Sequence, residues 1–384
     1  MSKVYTLEEG LALRKQYLAK AKRVVVKVGS AVLTNRQGLD CGLLQILAED
    51  LFSLGQGNRE VILVSSGAVA AGRMSLGLGG KCLGLKEKQA VAAVGQSSLM
   101  QAYENAFAKH GKKVAQVLLT HDDFSKRDRY LNMRNTLFTL LEWGILPIIN
   151  ENDTVSVKEL RFGDNDTLAA MLASLIDADI FICLTDVEAL FTANPVNNPE
   201  ARPVRTVSRV DAGNEAMAGN EVGALGTGGM QSKIRAARMV AAKGAASFIG
   251  PGKQPGILES IFAGAAVGTF FLPSGKKLAH RKHWIAYTLR PKGELILDDG
   301  ACKALKERGT SLLPAGIIEV RGTFAVGDAV LCVDRQGVGL AVGLVNYAAE
   351  EIKRIRGRKT TEIAATLGYC DSDEVIHRDN LVLL

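Results

Sequence analysis

The chain has 384 residues, of which 47% are hydrophobic and 23% are charged, a balance typical of a globular protein with about two domains. No run of about 18 apolar residues occurs and the first residues lack the apolar core of a secretory signal, so we expect neither a membrane span nor secretion. The formal net charge of +7 favours anionic partners, whether nucleotides, acidic substrates or nucleic acid.

The six cysteines are scattered along the chain and form no C-x-x-C pair. In a chain of this length, that spacing predicts reduced, buried thiols in a cytoplasmic protein.

Residues 1–20 are predicted to form an N-terminal helical extension. Thr6 and Glu9 have the spacing of a capping box, which predicts a short surface helix that begins here.

Residues 21–272 alternate short apolar runs with amphipathic helical stretches, including 42–54 and 86–109. The runs are rich in β-branched residues and lack strict polar alternation, which is typical of parallel strands buried on both faces. They span residues 24–28, 61–64, 114–119, 145–149 and 180–184. The pattern predicts an α/β fold with an open, mostly parallel sheet sandwiched by helices.

The pattern changes after residue 272. Residues 273–290 are predicted to be a linker, and residues 291–369 contain short strand-like segments separated by glycine turns, which predicts a small β-barrel-like domain. Residues 370–384 are assigned to a C-terminal tail.

Each predicted strand of the first domain ends in small or polar residues. Ligands of open α/β sheets bind beyond the carboxyl ends of the strands, so these residues fall where a site is expected. Any single polar loop has an ordinary explanation, but five such loops in phase favour one functional site.

Lys27 interrupts a run of valines just before Gly29 and Ser30. An unpaired ammonium group in a buried strand is costly, so the lysine either reaches solvent at a sheet edge or is directed at phosphate. The Gly-Ser turn, where backbone amides can approach an anion, favours phosphate.

Ser66 and Gly67 follow the second strand and precede a helix of small residues. A helix N-terminus after a tight turn can bind anions, although a serine N-cap is the more common reason for this pattern.

Carboxylates and carboxamides crowd two nearby segments, Asn150–Asp153 and Asp164–Asp166. Like charges this close need a Mg²⁺ ion, a lysine or a substrate ammonium group to neutralise them. The alternative is a solvated acidic turn in which Asp166 caps the helix that follows.

A glycine-rich stretch, Gly226–Lys233, leads into another predicted helix. Its glycines allow the backbone to wrap phosphate, but its spacing is not that of a Walker A loop.

These motifs, in this order, resemble those of the amino-acid kinase family, and in particular its branch that phosphorylates glutamate. The most specific elements are Phe-Gly-Asp-Asn-Asp and Gly-Thr-Gly-Gly-Met, and the segment Arg308–Gly316 resembles a PUA domain. The resemblance implies ATP-dependent phosphorylation of the L-glutamate γ-carboxylate, the first step of proline biosynthesis, with ATP as co-substrate and with Mg²⁺. It also implies a homo-oligomer, either a dimer or a tetramer.

The resemblance also implies a role for each matching residue. Lys27 and Lys233 are expected to flank the transferred phosphoryl group, Asp164 to orient the two lysines, and Asp166 to face Mg²⁺. Substrate glutamate is expected to contact Ser66, Gly67, Asn150, Asp153 and Asn165. ATP is expected to contact Lys27, Thr185, Asp186, Thr227, Gly228, Gly229, Met230, Gln231, Ser232 and Lys233.

Two alternatives stay open at this stage. One is a kinase of the same fold that acts on another small acid or a nucleotide. The other is an RNA-binding protein that acts through its C-terminal domain, since the basic segment Lys353–Lys359 suits nucleic acid, although such charge runs usually face solvent.

Overall fold

A computed structural model describes residues 5–35, 38–79, 81–156, 165–195, 197–210, 229–274 and 279–384. The chain separates into two compact units, Met1–Lys277 and Leu278–Leu384. Within the described ranges, no helix is long and apolar enough to cross a membrane.

The first unit contains a central sheet and two short hairpins. Its described strands are β1 Arg23–Val28, β2 Thr34–Asn35, β3 Gly38–Leu39, β4 Glu60–Ser65, β5 Val114–Leu119, β6 Leu146–Glu151, β7 Ile180–Thr185, β8 Leu190–Phe191, β9 Pro203–Val204, β10 Thr206–Val207, β11 Ala246–Pro251 and β12 Thr269–Phe271. Its described helices are α1 Leu7–Lys20, α2 Ser30–Leu33, α3 Cys41–Gln56, α4 Ala68–Ser75, α5 Leu85–Ala108, α6 His121–Ser125, α7 Arg127–Glu142, α8 Asn165–Leu175, α9 Met230–Lys243 and α10 Ile257–Ala263.

The central sheet has eight strands in the order β10-β12-β11-β7-β1-β4-β6-β5. Every neighbouring pair is parallel except β11 and β12. The five predicted apolar runs are the strands β1, β4, β5, β6 and β7, and the predicted mostly parallel α/β fold is confirmed.

Alternation along β1 decides which face of the sheet each side chain occupies. Val24, Val26 and Val28 belong to the hydrophobic core that includes α3 and α5. Because successive side chains of a strand point to opposite faces, Lys27 faces the other layer, where α8 packs on β1 and α9 packs on α8.

The helix α1 begins where the sequence predicts. Thr6 is its N-cap and forms the full capping box with Glu9. The helix is less of a surface element than predicted, because Arg14 is completely buried. The guanidinium of Arg14 donates to the Val267 carbonyl at 2.7 Å and stacks over the Phe248 ring, which ties the extension to the first unit.

The second unit is built on a five-stranded mixed sheet of order β14-β13-β15-β16-β17. Its strands are β13 Gly293–Leu297, β14 Ile317–Gly322, β15 Ala329–Val333, β16 Gly339–Leu344 and β17 Leu381–Leu383. Its α-helices are α11 His280–Tyr287, α12 Asp299–Arg308, α13 Ala349–Ile355 and α14 Ile363–Leu367.

Two elements of this unit lie in segments that the sequence pattern assigned elsewhere. The helix α11 falls within the predicted linker, and its Ile285 is buried against strands β15, β16 and β17. The strand β17 falls within the predicted tail and pairs with β16.

Candidate active site

Four neighbouring parallel strands, β7, β1, β4 and β6, bring their carboxyl ends to one edge of the sheet. Lys27, Ser66, Asn150 and Thr185 lie at or just beyond these ends. The polar loops that the sequence places after separate strands therefore converge on one edge, as predicted.

A buried Lys–Asp–Lys cluster lies at this edge. The Lys27 Nζ atom is 2.5 Å from Asp166 Oδ1, and the Lys233 Nζ atom is 3.1 Å from Asp166 Oδ2. Asp166 is 0% exposed and each lysine is 6% exposed. One carboxylate thus holds two ammonium groups, one on each oxygen.

The helices α8 and α9 position this cluster. Asp166 lies in the first turn of α8, where a carboxylate interacts favourably with the helix dipole. Lys233 lies in the first turn of α9, which packs directly on α8. The alternative in which Asp166 caps the following helix from a solvated turn is wrong, because α8 starts at Asn165 and the buried Asp166 lies inside it.

Electrostatics keep Asp166 ionised despite its burial. Burial alone raises the pKa of the carboxyl group, but the ammonium groups of Lys27 and Lys233 and a hydrogen bond from Ser232 outweigh burial. The pKa of Asp166 therefore lies well below its ordinary value. The cluster carries two positive charges against one negative charge, so a net positive charge is left for an anionic ligand.

Ser232 and Cys183 complete the surroundings of Asp166. The Ser232 hydroxyl donates to Asp166 Oδ2 at 2.7 Å, and the Cys183 thiol lies 3.5 Å from Asp166 Oδ1. Burial, with the negative charge of Asp166, raises the pKa of Cys183 to about 12, so this thiol stays protonated.

An amide network lies beside the cluster and is defined by Asn165, Asn150 and Gln96. The Asn165 Nδ2 group donates to Ser66 Oγ at 2.9 Å, to the Ser65 carbonyl at 3.0 Å and to Asn150 Oδ1 at 3.0 Å. Asn150 Nδ2 in turn donates to Gln96 Oε1 at 2.9 Å. Since Asn165 and Asp166 are adjacent in α8, the network and the cluster share one rigid element.

Two glycines leave room for a ligand at this edge. Gly67 has φ of 105°, a left-handed conformation that favours glycine, and it allows β4 to turn sharply into α4. A Cβ atom at Gly29 would lie 3.7 Å from Lys27 Nζ, so any longer side chain there would crowd the amine.

The remaining predicted site residues lie around this centre. Asp153 is in the turn that follows β6, and the hydroxyl of Thr185 donates to Asp186 at the end of β7. Gly229 is the N-cap of α9, and Met230 and Gln231 begin that helix. Asp164, Thr227 and Gly228 lie outside the described residues.

The carboxylate that contacts both lysines is Asp166, whereas the sequence motif was interpreted with Asp164 in that role. A Mg²⁺ ion does not fit Asp166 in this geometry, because both carboxylate oxygens are already held by lysine ammonium groups. Over the described ranges, no group of three or more His, Cys, Asp or Glu side chains is arranged to hold a metal ion.

Gln96 and Cys183 belong to the site but are not among the residues predicted from the sequence. Gln96 lies in the middle of α5 and is distant along the sequence from every predicted strand end. The one signal in the sequence is a glutamine placed among Val91, Gly95 and Leu99, which are buried. Cys183 pairs with Lys27 in register across β7 and β1, which no local motif reveals.

An α/β sheet with two buried cations at its strand ends suits an enzyme that stabilises several negative charges at once, as phosphoryl transfer requires. The chain belongs to the amino acid kinase family, whose family model matches residues 22–250. The PUA domain model matches residues 293–367.

Curated relatives of the chain carry a more specific name. A "Glutamate 5-kinase" of Desulfotalea psychrophila is 56% identical and aligns over 97% of this chain and 100% of its own. A "Glutamate 5-kinase" of Syntrophus aciditrophicus is 50% identical over 97% of this chain and 96% of its own. Among solved structures, a carbamate kinase from Giardia lamblia bound to AMP-PNP is 16% identical and covers 67% of this chain and 100% of its own, with a TM-score of 0.49.

Proposed function

We propose that the protein transfers the γ-phosphoryl group of ATP to the side-chain carboxylate of L-glutamate, forming γ-glutamyl 5-phosphate and ADP, the first step of proline biosynthesis. The observation that carries this proposal is the buried Lys27–Asp166–Lys233 cluster at the strand ends. The high identity to relatives named as glutamate 5-kinases supports the choice of glutamate.

The acceptor needs no general base. A glutamate side chain has an ordinary pKa of about 4.3, so its carboxylate is already an ionised nucleophile at neutral pH. What the protein must supply is position and charge, because the transferred phosphoryl group carries its charge on three equatorial oxygens.

The two lysines supply the charge. Their ammonium groups neutralise the phosphoryl oxygens and the approaching carboxylate, and they do so in a site from which water is largely excluded, where such interactions are strongest. In this proposal Asp166 orients both amines, and it is assigned the role that the motif suggested for Asp164.

The amide network supplies the position of the acceptor. Ser66, Asn150 and Asn165 are linked by hydrogen bonds next to the cluster, and Asp153 lies in the adjoining turn. We assign these residues to glutamate and the segment around Thr185, Asp186 and the start of α9 to ATP. A Mg²⁺ ion bound together with the nucleotide would add charge neutralisation at its phosphates.

A hydroxylamine trap tests the reaction. The enzyme, ATP and glutamate should yield a hydroxamate, because hydroxylamine captures an acyl phosphate, whereas aspartate, acetylglutamate and UMP should give no turnover. A wild-type protein that forms no glutamate-dependent hydroxamate would refute the assignment. So would one that releases ADP faster with UMP than with glutamate, which is measured separately because phosphorylated UMP is not an acyl phosphate and is not trapped.

The role of the second unit stays a prediction. Its basic segment Lys353–Lys359 suits nucleic acid. Two of its side chains already have partners within the unit, because Lys353 pairs with Glu350 and Arg354 donates to the Thr366 carbonyl. A salt-dependent RNA-binding assay on the full chain tests the interaction. The predicted dimer or tetramer is tested by light scattering.

A further inference from the structure

Gln96 is the side chain through which the helix α5 reaches the amide network. Gln96 is 9% exposed and otherwise lies among apolar residues of α5. A buried amide costs free energy unless it is hydrogen-bonded, and the Gln96 Oε1 atom accepts from Asn150 Nδ2 at 2.9 Å. Gln96 is therefore the last member of the amide network, which runs from Asn165 through Asn150 to Gln96.

Backbone groups fix the direction of every bond in this network. The Glu151 N–H group donates to Asn150 Oδ1 at 2.9 Å, and the Ser65 carbonyl accepts from Asn165 Nδ2 at 3.0 Å. A backbone N–H only donates and a backbone carbonyl only accepts, so neither asparagine amide can be reversed. Asn150 consequently directs its Nδ2 group at Gln96, and the Gln96 Oε1 atom is the acceptor of this hydrogen bond.

The orientation of Asn165 follows from that of Asn150. Three acceptors surround Asn165 Nδ2, so the Asn165 Oδ1 atom at the other end of the planar amide is directed away from them. Among the described residues, no donor contacts that oxygen. Within the described part of the chain this oxygen is thus an available acceptor beside the cluster, suited to the ammonium group of an amino-acid substrate.

A second glutamine of α5 supports the same segment. Gln89 precedes Gln96 by seven residues, which is about two helical turns and puts both side chains on one face. Gln89 Nε2 donates to the Ser156 carbonyl at 3.1 Å. The helix thus holds residues 150–156 at both ends, with Asp153 between the two contacts.

We propose that Gln96 is a positioning residue for the acceptor amino acid, and that Gln89 supports the same segment from its other end. Gln96 holds the Asn150 amide, Asn150 orients Asn165, and Asn165 presents its oxygen to the acceptor. This inference rests on the proposed function, since it assigns the network to the substrate that receives the phosphoryl group.

The test is Gln96→Met, which keeps the length of the side chain and removes its acceptor oxygen. The expected result is a rise of about tenfold in the KM for glutamate, the effect of losing one buried hydrogen bond. The values of kcat and of the KM for ATP should stay within about twofold. In an Asn150→Ala background, where the contact is already absent, Gln96→Met should change the KM for glutamate by less than about twofold.

Two further variants make the test specific. Gln101→Met is the matched control on α5, because Gln101 is exposed and its Nε2 group donates to Asn105 of the same helix, and its kinetics should equal those of the wild type. Gln89→Met should raise the KM for glutamate about threefold, in line with a weaker, partly exposed bond.

An unchanged KM for glutamate in Gln96→Met, an equal rise in both substrate KM values, or full additivity with Asn150→Ala would overturn the inference. If Gln96→Met does not fold, Gln89→Met decides, and an unchanged KM there overturns the inference as well. Wild-type protein without glutamate-dependent turnover refutes the proposed function instead, so the two failures are distinguishable.

Discussion

Replacing Asp166 by asparagine removes the one negative charge that holds two buried ammonium groups together. At the observed contacts of 2.5 and 3.1 Å, and with an effective dielectric constant of about 20, each attraction amounts to roughly 5–7 kcal/mol. Most of this attraction offsets the desolvation of three charged groups. The net cost of removing one partner from such a buried cluster is about 3–5 kcal/mol.

Asp166→Asn should therefore lower the melting temperature of the first unit by roughly 6–20 °C, given about 2–4 °C per kcal/mol for a domain of this size. It should also lower turnover strongly, because the lysines lose their common anchor. Calorimetry and the hydroxamate assay measure the two effects. Asp122→Asn makes the same chemical change at an exposed ion pair with Lys126 and should cost less than about 1 kcal/mol.

A variant that melts and turns over like the wild type at pH 7 would refute the role given to Asp166.

Three further outcomes are expected. Lys27→Ala and Lys233→Ala should each lower kcat by about 10²–10³, the effect of losing one preorganised donor, and unchanged kcat in either would remove that lysine from the mechanism. The pKa of Asp166 in the folded protein is depressed, so the stability that its ionised carboxylate contributes is complete above about pH 4 and is lost as the pH falls through the folded pKa. Acid titration should therefore destabilise the wild type more steeply than Asp166→Asn. Parallel curves of stability against pH for the two proteins would contradict this. A thiol reagent should label the three exposed cysteines of the native protein, Cys41, Cys82 and Cys370, and all six cysteines after denaturation. Labelling of Cys183 in the native protein would argue against its burial.

That exposure corrects one expectation from the sequence. The scattered cysteines predict reduced thiols, and all six are free, but only Cys183, Cys302 and Cys332 are buried. Spacing along the chain indicates that no disulfide or metal site is built from them. It does not indicate which residues pack inside.

The sequence alone predicted five strands of the central sheet, β1, β4, β5, β6 and β7, because local composition decides them, but it did not predict β10, β11 and β12 of the same sheet. A run of β-branched residues without polar alternation is stable only as a strand covered on both faces, and each such run is a strand of the central sheet. The same reasoning predicted that polar residues after the strands meet at one edge, since parallel strands share the direction in which they end. The family membership also followed from motifs in linear order.

Only the tertiary structure decided which carboxylate meets the two lysines. Asp164 and Asp166 stand in one short acidic run, and their order along the chain does not reveal which of them faces the sheet. The start of α8 at Asn165 directs Asp166 at Lys27, on the face of β1 opposite the main valine core. Gln96 likewise reaches Asn150 across 54 positions of the chain, a contact that exists only because α5 packs beside the sheet. Local sequence selects the elements, whereas the pairing of side chains from distant elements depends on where packing places those elements.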